Sequence, residues 1–216
     1  MSYQPVEFTH IQHNGVRDIF RRCDAFLRDV YGMFALPPEG LPDAGAGNWS
    51  IALVLLCLID GLSMYVHPIY PRGKRHHRKR FEMFLANKLL TGPQEPRERA
   101  AATIYNEFRG LLVHELSVDK HEAIRNGSQA EPAVAKWTPI PEQEQDVGQI
   151  EQRIKTDYAW PVFSVQPYNG RQRHVLCCAA LYGSLKAVLN ELANDQAVLK
   201  AAAVAYPNLV VMARAD

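Results

Sequence analysis

Residues 97–117 read RERAAATIYNEFRGLLVHELS, and this stretch decides what kind of fold the chain forms. On a helix at about 100° per residue it has two stripes on opposite sides. The apolar stripe predicts a core-facing side and contains Ala101, Ile104, Tyr105, Phe108, Leu111 and Leu112. The other stripe is small and polar and contains Asn106, Arg109, Gly110, Val113, His114 and Ser117. We therefore predict a helix whose second side meets another helix, a second subunit or a ligand.

The segments around this helix are also mostly helical in pattern. Apolar residues recur at steps of three and four over 15–33, 49–66, 172–194 and 196–206, and a basic run at 72–80 opens a further helix that continues to Leu89. Proline and glycine punctuate the chain at 37–47 and 92–96. The pattern predicts a mainly all-α fold, a bundle of five to six helices in a single domain over 1–216.

Residues 118–171 differ in character, with several prolines and Asn-Gly pairs at 126–127 and 169–170. Two short runs, 134–140 and 160–166, predict the strands of a hairpin, and the pattern also allows a short helix near 147–155. We interpret this region as a small irregular or β-hairpin insertion in the bundle. Beyond it, His174 is expected to face solvent.

The charge of the chain is unevenly distributed. The 24 basic and 23 acidic side chains leave a net charge of +1, which argues against a generally basic nucleic-acid-binding protein. Residues 72–80, however, contain six basic side chains and no acid, so the rest of the chain carries −5. This segment predicts binding to an RNA backbone or an acidic partner, and the alternative is a solvated charge run. Its basic residues are Arg72, Lys74, Arg75, Arg78, Lys79 and Arg80.

The cysteines and the termini indicate a reduced, cytoplasmic setting. The four cysteines form no C-x-x-C pair, and Cys57 and Cys178 lie in apolar stripes where a thiol packs as a small hydrophobe. The first 15 residues have no apolar run, which argues against a signal peptide. The apolar segment 49–66 contains Asp60, and a carboxylate in mid-bilayer is costly, so we expect a buried bundle helix and no membrane. One hypothesis pairs Asp60 with Arg109. The alternative places Asp60 at the solvent-exposed edge of its helix.

The segment Arg109-Gly-Leu-Leu-Val-His114 reads R-x-x-x-x-H near the end of a helix. It resembles the motif of the HEPN superfamily, helical-bundle proteins of toxin–antitoxin, CRISPR and other defence systems, many of which are metal-independent endoribonucleases. The resemblance implies a bundle in which two protomers place these helices side by side, with a composite site at the cleft. The implied partners are RNA, a second copy of the chain, and an antitoxin or defence-system protein.

The chemistry implied by the resemblance needs neither metal nor cofactor. An RNA 2′-OH attacks the adjacent phosphate; His114 would be the general base or acid and Arg109 the phosphate clamp. Asp60, Asn106, Gly110 and Glu115 would support them. Gly110 and Leu116 depart from the commonest form of the motif, so the alternatives are a catalytically inactive bundle that binds nucleic acid or protein, and a plain helical interaction domain.

Overall fold

The computed structural model describes residues 3–35, 46–66, 74–110, 130–135, 161–168 and 170–205. These residues form six helices and one three-stranded sheet, so the prediction of a mainly helical fold is confirmed. The helices are α1 (Asn14–Ala35), α2 (Ala46–Val66), α3 (Lys74–Phe84), α4 (Gln94–Thr103), α5 (Cys178–Asn194) and α6 (Gln196–Ala205). The strands are β1 (Ala130–Ala135), β2 (Phe163–Tyr168) and β3 (Arg171–Cys177).

The core lies between α1, α2, α3 and α5. On α1 the residues spaced by three and four are the buried ones, among them Phe20, Leu27 and Phe34. On α5 nearly the whole inner side is buried, and the ring of Tyr182 contacts that of Phe34 edge-on. Full burial of one such side chain stabilises the fold by about 1.5–3 kcal/mol, so this packing supplies most of the driving force for the bundle.

Helix α2 runs through the middle of this arrangement and contacts α1, α3, α5 and α6. Ile51, Leu55, Ile59 and Leu62 are buried. By length and composition alone, Asn48–Val66 is the one helix among the described residues that would be able to cross a membrane, with a mean hydropathy of 1.9 and 44% of the segment buried. Asp60 is the only carboxylate of this helix, and because the helix packs against four others, Asp60 lies in the bundle interior.

Two helices continue into π-helical turns, in which backbone hydrogen bonds join residues five apart. Leu85–Leu89 follows α3, and Ile104–Arg109 follows α4. The Leu90 N–H donates to the Leu85 carbonyl at 2.9 Å, and the Gly110 N–H donates to the Tyr105 carbonyl. Such turns are rare and often lie at functional sites.

The second π turn changes which way the predicted stripes of residues 97–117 face. Ala101, Ile104 and Phe108 are buried, as the apolar stripe predicted, but Tyr105 is only half-buried. In the polar stripe Asn106 is exposed whereas Arg109 is largely buried, so the two do not share one outer side. Gly110 is partly buried, and the other residues of both stripes lie outside the described residues: Leu111, Leu112, Val113, His114 and Ser117.

The sheet has the order β1-β3-β2, with β1 parallel to β3 and β2 antiparallel to it. The predicted hairpin between 134–140 and 160–166 was wrong: β2 pairs with β3, which directly follows it, and Gly170 between them has a φ of 73°. The prediction of helix over 172–177 was also wrong, because these residues are the central strand. The expected helix near 147–155 lies outside the described residues.

All four cysteines are free thiols, and Cys23, Cys177 and Cys178 are buried. Burial raises the pKa of the Cys23 thiol to about 12, with a smaller contribution from the neighbouring Asp24 carboxylate. The expectation that Cys57 packs inside an apolar stripe was wrong: it lies on the exposed side of α2. The pKa of the Cys57 thiol is nevertheless raised. Partial burial is the larger cause, and the negative charge of Asp60 is the smaller one.

Candidate functional site

Arg109 and Asp60 form an ion pair where α2 meets the π-helical turn after α4. The Arg109 Nε and Nη2 groups both donate to Asp60 Oδ2, at 3.1 and 2.7 Å. The two side chains are 12% and 15% exposed. The hypothesis that Arg109 is the partner of Asp60 is confirmed, and it explains how an apolar helix tolerates a carboxylate, since a buried charge needs a partner.

A third side chain, His77 of α3, joins this pair. Its Nε2 lies 2.6 Å from Asp60 Oδ1 and 3.5 Å from Arg109 Nη2. Oδ1 is buried and accepts no well-aligned hydrogen bond from any described residue, so its contact with the imidazole is defined by distance alone. We call the group of Asp60, His77 and Arg109 the polar cluster.

Sequence reasoning missed His77 because it lies inside the basic run at 72–80 and was interpreted only as part of that run. The available signal was helical spacing: His77, Phe81 and Phe84 are four and three residues apart, and both phenylalanines are fully buried. A histidine on the inner side of an amphipathic helix needs a polar partner there. The sequence does not say which one, because Asp60 comes from another helix.

Tyr105 links the polar cluster to the basic helix. The guanidinium carbons of Arg109 and Arg78 lie 5.4 and 5.3 Å from the centre of its ring, and Phe81 contacts the ring edge-on. Guanidinium groups over a tyrosine ring are attracted by its negative face. Arg78 also pairs with Glu82 at 2.6 Å. These contacts hold the Arg109 side chain in one orientation between α2 and α3.

The basic run is divided between surface and interior. Arg78 and Lys79 are exposed on α3, whereas Arg80 is only 4% exposed and thus offers almost no surface to a phosphate. Lys74 and Arg75 begin α3. Arg72, His114 and Glu115 lie outside the described residues, so their predicted roles stay predictions.

Asn106 and Gly110 were also predicted to support the site. Asn106 is exposed and does not belong to the polar cluster. Gly110 directly follows Arg109, and a Cβ at this position would lie 3.4 Å from the Tyr105 carbonyl oxygen. This distance is at the short limit of ordinary van der Waals contact. The Cβ of an alanine at position 110 would therefore touch the backbone of the same π turn.

Glu107 and His174 form a second pair on another side of the same π turn. His174 Nδ1 lies 2.6 Å from Glu107 Oε2, and both side chains are largely buried, so the expectation that His174 faces solvent was wrong. His174 is on the central strand, where Val165 of β2 and Pro132 of β1 are its neighbours in register. With Phe163 and Thr103 it lines a groove of about 430 Å³ between α4 and the sheet.

No group of three or more His, Cys, Asp or Glu side chains suited to a metal ion occurs in the part of the chain that the structure describes. Comparisons with protein-family models, with curated proteins and with solved structures found no match for this chain.

Proposed function

We propose that the chain is a metal-independent endoribonuclease of a toxin or antiphage-defence type, with a site that two copies of the chain form together. The observation that carries the proposal is the orientation of Arg109. Its guanidinium is held by Asp60, next to a helix whose exposed residues include Arg78 and Lys79. An arginine held in this way, beside surface cations, suits recognition of a phosphate in a nucleic-acid strand.

The proposed reaction is transesterification. The RNA 2′-oxygen forms a bond to the adjacent phosphorus while the bond from phosphorus to the 5′-oxygen breaks. One group must remove the 2′-OH proton and one must protonate the leaving 5′-oxygen, and His114 supplies one of these transfers. Arg109 stabilises the negative charge that develops on the phosphate oxygens. The products are a 2′,3′-cyclic phosphate and a 5′-hydroxyl end.

A second candidate function is a non-catalytic bundle that binds nucleic acid or protein. The observation that favours it is the ion pair itself, since Arg109 is largely buried and bonded to a carboxylate of its own chain. Ion pairs of this kind also serve purely to join helices. In this case the exposed cations of α3 supply affinity without chemistry.

The two functions are separated by cleavage assays in EDTA on varied RNAs, with wild-type protein and His114→Ala. If the chain is a nuclease, wild type cleaves and the variant loses about 100-fold or more of the rate, as expected for loss of an acid–base group. Products ending in a cyclic phosphate identify the reaction. If neither protein cleaves but both retain RNA in gel shifts, the binding function replaces the enzymatic one. Light scattering that shows a strict monomer contradicts the two-copy site.

A further inference from the structure

We propose that the groove between α4 and the sheet binds a small organic anion, in which a phosphate or carboxylate is attached to an aromatic or apolar body. Neither the polar cluster nor RNA cleavage takes part in this binding. The groove has a volume of about 430 Å³, within the range of about 300–1,000 Å³ that is usual for small-molecule sites. The lining residues that carry the inference are Arg97, Arg99, Thr103, Phe163, Val165 and His174.

The charge of the groove favours an anion. The described residues that line it include two arginines and a histidine and no carboxylate. Two of these three side chains are paired with a carboxylate beside the groove: His174 with Glu107 at 2.6 Å, and Arg99 with Glu95 at 3.5 Å. Because the side chains of Arg99 and Glu95 are 71% and 81% exposed, water weakens their pair, and Arg99 can exchange Glu95 for a ligand.

Arg97 is the cation with the strongest need for an anion. Its side chain is half-buried, and its Nη1 donates to the Ala86 carbonyl at 2.8 Å, which holds the guanidinium at the wall of the groove. Its Nε is buried and makes no hydrogen bond with any described residue, and a charged group with an unmade buried hydrogen bond is costly. With Nη1 directed at Ala86, the edge formed by Nε and Nη2 remains. Two oxygens of a phosphate or carboxylate match such an edge.

The sheet side of the groove is aromatic and apolar. The rings of Phe163 and His174 are in contact, with their centres 5.4 Å apart. Val165 is in register with His174, so both side chains project from the same face of the sheet. Val165 is 51% exposed. An apolar side chain in an open groove contacts water, and a flat or apolar body that covers it releases that water.

A purely structural role for Arg97 would be to join α4 to the π turn at Leu85–Leu89 through the Ala86 carbonyl. One neutral donor is enough for that bond, whereas Arg97 adds a charge and a second buried donor without a partner. The two sides of the groove also require both parts of the ligand. An inorganic anion alone leaves Val165 uncovered, and a neutral apolar molecule leaves the Arg97 edge unpaired.

The test titrates the ¹⁵N-labelled full chain with four probes and follows backbone amide shifts by NMR. Phenyl phosphate and benzoate carry both parts of the proposed ligand, inorganic phosphate carries the anion alone, and benzyl alcohol carries the ring alone. We expect at least one aromatic anion to bind about 10-fold or more tightly than phosphate or benzyl alcohol, with shifts at Ala100 and Ser164. The tighter of the two aromatic anions identifies the anionic group.

Val165→Asp and Val165→Lys are a matched pair, since both remove the same exposed valine and differ in the sign of the charge that they introduce. Val165→Asp should weaken binding of the aromatic anion by about 10-fold, and Val165→Lys should keep it within about 3-fold. Arg97→Gln, which retains neutral donors near Ala86, should also weaken binding by about 10-fold. Arg99→Gln should have the smaller effect, because Arg99 is highly exposed. The Tm of each variant identifies any loss of folding.

Equal affinities of Val165→Asp and Val165→Lys for the aromatic anion overturn the site, and so do shifts confined to residues outside the groove. Absence of saturable binding by both aromatic anions has the same consequence. Inorganic phosphate that binds as tightly as phenyl phosphate indicates an adventitious ion only and overturns the proposal of an organic ligand. None of these measurements depends on RNA cleavage, so the ribonuclease proposal is tested separately.

Discussion

Replacing Arg109 by alanine should unfold the protein more easily as well as remove the proposed phosphate clamp. The substitution leaves the Asp60 carboxylate, 15% exposed, without the two guanidinium donors that now satisfy Oδ2. Removing one partner of a buried ion pair costs about 3–5 kcal/mol, and the partial exposure places this pair near 3 kcal/mol. For a chain of this size that is a fall of about 10 °C in Tm.

The control is the double variant Asp60→Ala/Arg109→Ala, which removes both charges and leaves no carboxylate without its partner. It should be more stable than Arg109→Ala alone, with a coupling energy of about 2 kcal/mol in the double-mutant cycle. Arg99→Ala gives the surface comparison: its pair with Glu95 spans 3.5 Å between highly exposed side chains and should be worth under about 0.5 kcal/mol.

Urea denaturation followed by circular dichroism measures these differences, provided that the slope with urea is unchanged. A stability of Arg109→Ala within about 0.5 kcal/mol of wild type, or a double variant less stable than both single variants, would refute the reasoning. If the prediction holds, loss of cleavage in Arg109→Ala reports folding as well as chemistry. Arg109→Lys, which keeps a positive charge opposite Asp60, is then the better probe of the phosphate clamp.

Three further outcomes follow from the fold. In native protein a thiol reagent should modify Cys57 first, since it alone among the cysteines is exposed, and Cys57→Ser should abolish this early reaction, measured by mass spectrometry with full labelling in denaturant as reference. The folded state keeps the Cys23 proton up to about pH 12 whereas the unfolded chain releases it near pH 9.0, so stability falls as pH rises through this window, and urea midpoints should fall less steeply for Cys23→Ala. Gly170→Ala should lose about 1 kcal/mol because its φ of 73° is unfavourable for a side chain, whereas an unchanged Tm would contradict the hairpin geometry.

The polar cluster shows which contacts of a site can be predicted from the residue pattern of single helices. A carboxylate in an apolar helix needs a partner in the interior, and an arginine on a helix with a core-facing stripe is a candidate for it. The residues alone therefore offered the pairing of Asp60 with Arg109 as one of two alternatives, and the fold decided between them. The spacing of His77 to Phe81 and Phe84 indicated that it faces inward, but its partner was not accessible, because Asp60 lies on another helix.

At residues 172–177 the local residue pattern predicted the wrong secondary structure. Val175 lies three residues before Cys178 and so continues the helical spacing of α5, which is why the pattern predicted one helix over 172–194. In the fold residues 172–177 form a central strand because β1, some forty residues earlier, and β2 supply hydrogen-bond partners on both sides. The Cys177 N–H donates to the Val162 carbonyl at 2.9 Å, and the helix begins at the next residue.

The order of the amino acids by itself determined the mainly helical fold, the approximate position of five of the helices and the free state of the cysteines. These properties depend on neighbours three or four residues apart or on composition. Tertiary structure decided that Arg109 turns inward to Asp60 and His77, that Arg80 is buried, and that residues 171–177 form a strand. The physical reason is that a π turn shifts the phase of a helix, and strand pairing and ion pairing join groups that are distant in the chain.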